Sequence, residues 1–410
     1  MNGNSAIAEQ YTKTRTLSAD PGGYGHLIFE SGYTGHRTEY IRHVMDYINR
    51  HKSLHGQYFF LLNKKAAPFL EKLDTSAAFR VQYLEFEEQH SNSVSKSFSD
   101  WKKIDQFAKT GPGFREITFM DIDPYLVLLT RPQFLKYRWL VNGILFQPYI
   151  HFLKLPSLQR LKPVLKNYVF QKLATSMNAK IRRIFILNDK KGVQRLNRKI
   201  KNIFHFLPDP IEGPAATVHS PAAIIEKFSL SGNQKKLLLF GRIDERKNLL
   251  NIIDSLRLLP DAEKKNIRLI IAGAIDKPVK DNYLAYIKKY SGELDIVCND
   301  GYVNDEEREL LFQRTDIVLM PYINFYSSSG VLGHSIRAGK NVIVSTDGIV
   351  AEMVRENNLG KAVDPKKPAE ISRAISQLLQ QPVDTARDNK QIIREYSPEN
   401  FSKVLLGHLS

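Results

Sequence analysis

The sequence predicts an α/β protein of two units, each a parallel sheet covered on both faces by helices. Two observations carry this. From His26 to Leu379, short apolar runs that suit buried parallel strands alternate with stretches whose apolar residues recur at helical spacing. The chain also has 410 residues, and at about 150 residues per domain that makes two or three domains.

His26 to Glu30 is the first strand candidate. Ser31-Gly32-Tyr33-Thr34-Gly35-His36 is a glycine-bearing loop, and Ile41, Val44, Met45 and Ile48 mark the helix after it. Strand, glycine loop and helix can cradle an anion or form a plain turn. Gln57 to Leu62 and Val81 to Phe86 are further strands, and Glu88 to Lys109 is helix plus loop. Glu116 to Pro124 reads as a strand delivering Asp121 and Asp123 to its carboxyl end. An α/β enzyme puts a base or an acceptor-binding acid there, although one aspartate could simply cap the next segment. Leu140 to Phe152 is apolar but broken by Gly143 and Pro148. Arg183 to Leu187 and Ile203 to Leu207 are strands, and Ile211 to Pro221 is the best linker.

The second unit begins near Lys235. Leu237 to Phe240 is a buried strand stopped by Gly241, and Arg242 to Asn248 form a charged turn. Leu249, Ile252, Ile253 and Leu256 then open a helix. Strands follow at Arg268 to Gly273, Asp295 to Cys298, Asp316 to Tyr322 and Asn341 to Ser345. Asp305 is placed to cap a helix through Leu310 and Leu311, and Pro368 to Leu379 is a late helix.

Hydrophobic residues make up 42% of the chain, enough for a sizeable core. No apolar run reaches the roughly 18 residues of a membrane span, and Met1 to Asp20 lacks the apolar core of a signal peptide. Cys298 is the only cysteine, so disulfides within the chain and cysteine-based zinc sites are excluded, and a reducing cytoplasm is expected. The net charge of +16 favours anionic partners. It is concentrated between His151 and His205, where fourteen Lys or Arg residues stand with Asp189 as the one acid. Leu161, Leu165, Val169, Phe170 and Leu173 share a helical face there, flanked by Lys162, Lys166 and Lys172. A basic amphipathic helix suits an anionic membrane surface, here the stretch 154–201, or an ordinary solvated face. No nucleic-acid motif accompanies the charge.

Ligands of open α/β sheets bind beyond the carboxyl ends of strands, near helix N-termini. Gly241, Arg242 and Lys247 stand at such an edge, and two fixed cations there suit a diphosphate that gains charge as it departs. Ser327-Ser328-Ser329-Gly330 follows a strand and opens a helix, offering hydroxyls and free N–H groups to an anion.

Together these residues resemble the family 4 glycosyltransferases, retaining enzymes of GT-B fold. Phe240-Gly241-Arg242 with Lys247-Asn248 looks like the family's donor-phosphate motif. Gly301-Tyr302-Val303, Asp316 to Pro321 and Ala338 to Ile343 follow in family order. Pro208-Asp209-Pro210-Ile211 sits where the family has its interdomain signature, and Tyr396 to Phe401 is similar to its closing helix. One departure stands out. The family's two glutamates, eight residues apart, fall on Tyr326 and His334 when counted without gaps, and a one-residue shift puts Ser335 in the second place, so the resemblance is to a diverged branch.

The resemblance implies two Rossmann-like domains facing a cleft, at 1–212 and 213–385. A helix over 386–410 returns to the first. It implies a nucleotide-diphosphate sugar donor, no metal and no cofactor, and transfer to a saccharide or lipid-linked acceptor in cell-envelope polysaccharide or glycan synthesis. The enzyme would be a retaining hexosyltransferase, cytoplasmic or peripheral on the inner membrane face. Arg242 and Lys247 would neutralise the diphosphate, with Gly241, Ser327, Ser328, Ser329 and Gly330 around it. Gly301 and Tyr302 would hold the base, and His334 a ribose hydroxyl. Gly35 and His36 would approach the phosphates or the acceptor, and Asp121 or Asp123 would orient the acceptor hydroxyl. A sugar-nucleotide epimerase of the same fold, or a non-catalytic nucleotide-sugar-binding relative, is the alternative.

Overall fold

The computed structural model describes residues 25–407, apart from 34–35, 71–72, 74–76, 87–92, 112, 132–138, 147, 149–168, 170, 177, 213–220 and 384–385. Gly35, Lys162 and Lys166 therefore lie outside the described residues, as does most of the linker. Chain packing gives two units: Met1–Ile144 with Phe170–Ile184, and Leu145–Val169 with Phe185–Ser410.

Strands β1 (His26–Glu30), β2 (Tyr58–Asn63), β3 (Arg80–Leu84), β4 (Glu116–Phe119), β5 (Leu140–Leu145), β6 (Ile181–Leu187) and β7 (Phe204–Leu207) form a seven-stranded sheet of order β3-β2-β1-β4-β5-β6-β7. Strands β8 (Lys235–Phe240), β9 (Ile267–Ala272), β10 (Asp295–Asn299), β11 (Ile317–Met320), β12 (Asn341–Ser345) and β13 (Gly360–Val363) form a six-stranded sheet of order β10-β9-β8-β11-β12-β13. Strand order reverses between β1 and β4 in the first sheet and between β8 and β11 in the second. Doubly wound sheets bind ligands at such switch points, because the two crossovers leave on opposite faces and open a crevice.

The second sheet shows why its strands read as continuous apolar runs. Leu238, Ile270, Val318 and Val342 pack into one core layer. Their neighbours Leu237, Leu239, Leu269, Ile271 and Ile343 pack into the other. Both faces are covered, so the central residues of these strands are apolar, and each buried Leu or Ile contributes about 1.5–3 kcal/mol.

Two strands escaped the sequence reading. β5 contains Asn142 and Gly143, which interrupt its apolar pattern. Asn142 is buried because its amide donates to Glu116 Oε2 at 2.9 Å. Gly143 admits Ile122, whose Cβ lies 2.7 Å from where a side chain would begin. β13 is a four-residue edge strand opening on Gly360-Lys361, with Lys361 exposed and only Val363 buried. One expectation is corrected: the N-cap of helix Asp305–Arg314 is Asn304, not Asp305. Asn304 accepts from the Glu307 N–H at 2.9 Å, and Glu307 returns the bond at 3.0 Å, a reciprocal capping box. Helix Pro398–Leu405, capped by Ser397, packs against β7.

Candidate functional site

At the switch point of the second sheet, β8 runs into Gly241, whose φ of +94° turns the chain off the strand. The turn Glu245–Lys247 is a single 3-10 step that ends on Asn248 in the left-handed region, φ +61°. The Asn248 amide donates to the carbonyls of Pro321 at 3.0 Å and Pro365 at 2.6 Å, tying the turn to the chain beyond β11. That fold-back directs Lys247 inward.

Lys247 is 2% exposed. Its Nζ donates to the Phe240 carbonyl at 2.6 Å and to Tyr322 Oη at 2.7 Å. Burial, reinforced by the Arg246 charge and only partly offset by Asp244, depresses its pKa from 10.5 to about 7. Arg246 lies over the rings of Tyr322 and Phe325, at 5.1 and 4.6 Å. Tyr322 also bonds to Ser329, so the phenol joins Lys247 to the serine loop. Burial pushes the phenol pKa well up, so it stays protonated. Arg242 behaves differently. Its side chain is 75% exposed and forms a two-pronged pair with Asp276, Nε to Oδ1 at 2.6 Å and Nη2 to Oδ2 at 2.8 Å.

Within the serine loop, the Ser328 hydroxyl donates to Asp209 Oδ2 at 2.5 Å and accepts from Asn188 Nδ2 at 2.8 Å. It anchors the loop to the chain around Asp209. Ser327 is half-buried, and Gly330 is exposed at the start of helix Gly330–Arg337. His334 in that helix sits against Phe312, with ring centres 5.4 Å apart. Burial, with the charges of Arg308 and Arg337, lowers its pKa to about 3, so the imidazole is neutral at physiological pH. The buried Nε atoms of Arg308 and Arg337 have no partner among the described residues. Neither arginine was singled out in the sequence, because an Arg on an amphipathic helix reads as solvated surface. Gly301 and Tyr302 follow β10, the edge strand, and Tyr302 is 82% exposed. Gly241, Lys247, Tyr322 and Ser329 thus form one contact cluster, while Tyr302 stands at the sheet edge.

The switch point of the first sheet holds a cluster that the sequence only half revealed. Arg37 bridges two carboxylates, Nη1 to Glu30 Oε1 at 2.8 Å and Nη2 to Asp121 Oδ2 at 2.5 Å. The Gly32 N–H also donates to Glu30 Oε1, at 2.6 Å. Asp123 begins a 3-10 turn, and its N–H donates to Asp121 Oδ1 at 3.1 Å. Beside them Lys96 donates to Asp100 at 2.6 Å and to Ser31 at 3.2 Å, and Tyr125 donates to Asp100 at 2.7 Å. His36 is exposed at the start of helix His36–Arg50. Sequence reading missed Glu30, Arg37, Lys96 and Asp100, since a strand-end Glu and helix charges carry no local signal.

Glu30 is 3% exposed, and its Oε2 has no partner among the described residues. Burial raises its pKa from 4.5 to about 7 despite Arg37. The folded protein then holds a proton that the unfolded chain has released, so stability falls as pH rises from about 4.5 to 7. The loss amounts to at most about 3 kcal/mol. Urea titrations of wild type and Glu30→Gln at pH 4.5 and 8 should show the variant gaining stability relative to wild type at the higher pH, because glutamine has no proton to lose.

Comparison with known proteins places this geometry. Residues 222–397 match the family model of glycosyl transferases group 1. An uncharacterized glycosyltransferase of Methanocaldococcus jannaschii is 28% identical over 184 residues, which are 43% of this chain and 45% of that relative. The chain thus spans less than half the length of the curated relative it matches. Among solved structures, WaaG, a glycosyltransferase involved in lipopolysaccharide biosynthesis, aligns with a TM-score of 0.64 at 16% identity, covering 93% of this chain and all of that one. Anabaena HepE, solved with UDP and glucose, aligns at 0.67 with 13% identity, covering 94% and 99%. These neighbours show the GT-B fold expected from the sequence.

Proposed function

We propose that this chain, whose residues 222–397 form a glycosyl transferases group 1 domain, moves a sugar from a nucleoside-diphosphate donor to a saccharide or lipid-linked acceptor in cell-envelope polysaccharide or glycan synthesis. One observation carries the reading: a buried lysine, Lys247, at the switch point of the second sheet, bonded to a carbonyl and a phenol. A buried lysine nitrogen held there without a carboxylate contact among the described residues is preorganised for an anion.

In this reading Lys247 holds the diphosphate, and Arg242 turns from Asp276 to share the charge as the bond to the sugar breaks. Backbone N–H groups of Ser327, Ser329 and Gly330 complete the cradle. Tyr302, on the loop opened by Gly301, stacks on the base. The neutral His334 can accept one hydrogen bond from a ribose hydroxyl or donate one to it. Asp121, fixed by Arg37, and Asp123 orient the acceptor hydroxyl from a first domain over 1–212, approached by Gly35 and His36. Residues 213–385 form the donor domain, and 386–410 the closing segment. Transfer of a hexosyl group with retention follows from the resemblance to family 4 enzymes. UDP-sugars are the first donors to try, because HepE is solved with UDP and glucose. Among the described residues no helix is long and apolar enough to cross a membrane. The basic stretch 154–201 supports peripheral contact with anionic lipid.

A thermal-shift screen of nucleotide sugars, followed by transfer assays with the stabilising donor, tests the reading through ligand linkage. Donor turnover without an acceptor would point to an epimerase instead. Arg242→Ala removes one charge-assisted partner and should weaken nucleoside-diphosphate binding by about 1–3 kcal/mol. Calorimetry showing unchanged affinity would remove Arg242 from the site.

A further inference from the structure

We infer that Tyr322 is a positioning residue for Lys247, and that a bound diphosphate draws a proton from solvent onto the Lys247 nitrogen; this rests on the donor-site reading above. A neutral amine carries two N–H bonds and a lone pair, an ammonium three N–H bonds. Among the described residues Nζ has two acceptors, the Phe240 carbonyl and Tyr322 Oη, at 2.6 and 2.7 Å. Without ligand, the pocket therefore satisfies the amine and leaves the third N–H of an ammonium unmatched.

The charged and titratable surroundings agree. Asp244, Glu245 and Arg246 come from the same turn, and Asp244 is drawn toward Arg246 at 3.5 Å. Arg242, at the end of β8, is engaged by Asp276. Tyr322 comes from the end of β11, and Ser329 bonds to it from the loop. The Arg246 guanidinium over the Tyr322 ring adds positive charge. The resulting pKa of about 7 leaves most Lys247 side chains neutral at pH 8.

A diphosphate changes both terms. Gly241 lies directly beside the nitrogen; a Cβ there would sit 3.7 Å from Nζ. A phosphate oxygen reaching Nζ past this bare backbone supplies the third acceptor and the counter-charge. The step balances simply: amine, one proton from buffer and the nucleoside diphosphate give the ammonium–diphosphate pair, with no electron transferred. The phenol aims the nitrogen by fixing one of its protons.

The test is calorimetry of UDP and of ADP with the full chain at pH 8.0, in two buffers of different ionisation enthalpy. The terminal phosphate of each probe, with a second pKa near 6, is ionised at that pH, so any proton taken up goes to the protein. Wild type should take up close to one proton per ligand, and Lys247→Arg, permanently charged, should bind with none. Tyr322→Phe should weaken binding about tenfold at pH 8.0 and much less at pH 6.0; a merely structural role would weaken it equally at both. Binding by wild type at pH 8.0 without proton uptake overturns the inference and leaves the donor-site reading standing. Tyr322→Phe indistinguishable from wild type at both pH values overturns the role of the phenol. Failure of both probes to bind at either pH overturns the reading and the inference together. Should Tyr322→Phe not fold, Lys247→Arg still decides the proton uptake.

Discussion

Lys247→Met is expected to lower kcat/KM for sugar transfer about 10²–10³-fold, the loss seen when one preorganised electrostatic donor is removed from a transition state, while leaving the fold as stable or more stable. The two effects have one origin. Lys247 is buried at the carboxyl end of β8 with a carbonyl and a phenol as its partners and a second cation, Arg246, nearby. Holding it charged costs stability, and methionine, of similar length, removes that desolvation cost. A base whose folded pKa is lowered from 10.5 to about 7 contributes stability above the unfolded value and loses it as pH falls through the folded one. The gain from methionine should therefore be larger at pH 6 than at pH 9. Denaturation at both pH values, paired with initial rates, checks it. A variant that loses activity and stability together would make Lys247 a structural residue.

How much of this was legible in the sequence depended on whether the signal was local. Strands covered on both faces, such as Leu237 to Phe240 and Val342 to Val344, announce themselves because their residues are continuously apolar. β5 does not, because Asn142 is buried only by virtue of Glu116, a partner 26 residues away. Asn304 could have been recognised as the cap of its helix, since Glu307 stands at the capping-box spacing. Gly241 and Lys247 were visible as a strand, turn and helix, but Tyr322, which fixes the nitrogen, lies 75 residues on. The same holds for Arg37, which reaches Asp121 across 84 residues. Ser328 shows the converse. Its composition suggested an anion donor, yet its hydroxyl is taken by Asp209 and Asn188, and only tertiary structure could show that.

Gly273→Ala is expected to damage the second unit and its candidate site together. Gly273 follows β9 with φ +141°, a conformation that L side chains rarely adopt. A Cβ there would lie 2.0 Å from the Gly241 carbonyl oxygen and 2.6 Å from its carbon. Both are backbone atoms, so no rotamer change relieves the overlap. Three bonds pin the two chains together at this point. The Gly241 N–H donates to the Ala272 carbonyl at 3.0 Å, the Ile243 N–H to the Ala274 carbonyl at 2.9 Å, and the Asp276 N–H to the Ile243 carbonyl at 2.9 Å. Accommodating the methyl group means breaking that seam. Backbone strain and lost hydrogen bonds together should cost about 3–5 kcal/mol. The damage should also spread to ligand binding, because Gly241 lies over Lys247 Nζ and moves with the seam. Urea denaturation should show the loss of stability, and calorimetry at a temperature where the variant is still folded should show weaker nucleoside-diphosphate binding. Gly232→Ala is the control. It shares a positive φ, +89°, but no atom lies within 4 Å of its added Cβ, so it should cost about 1 kcal/mol and leave binding unchanged. If Gly273→Ala behaved like that control, close backbone approach between β9 and the Gly241 turn would not be what holds this edge of the sheet in shape.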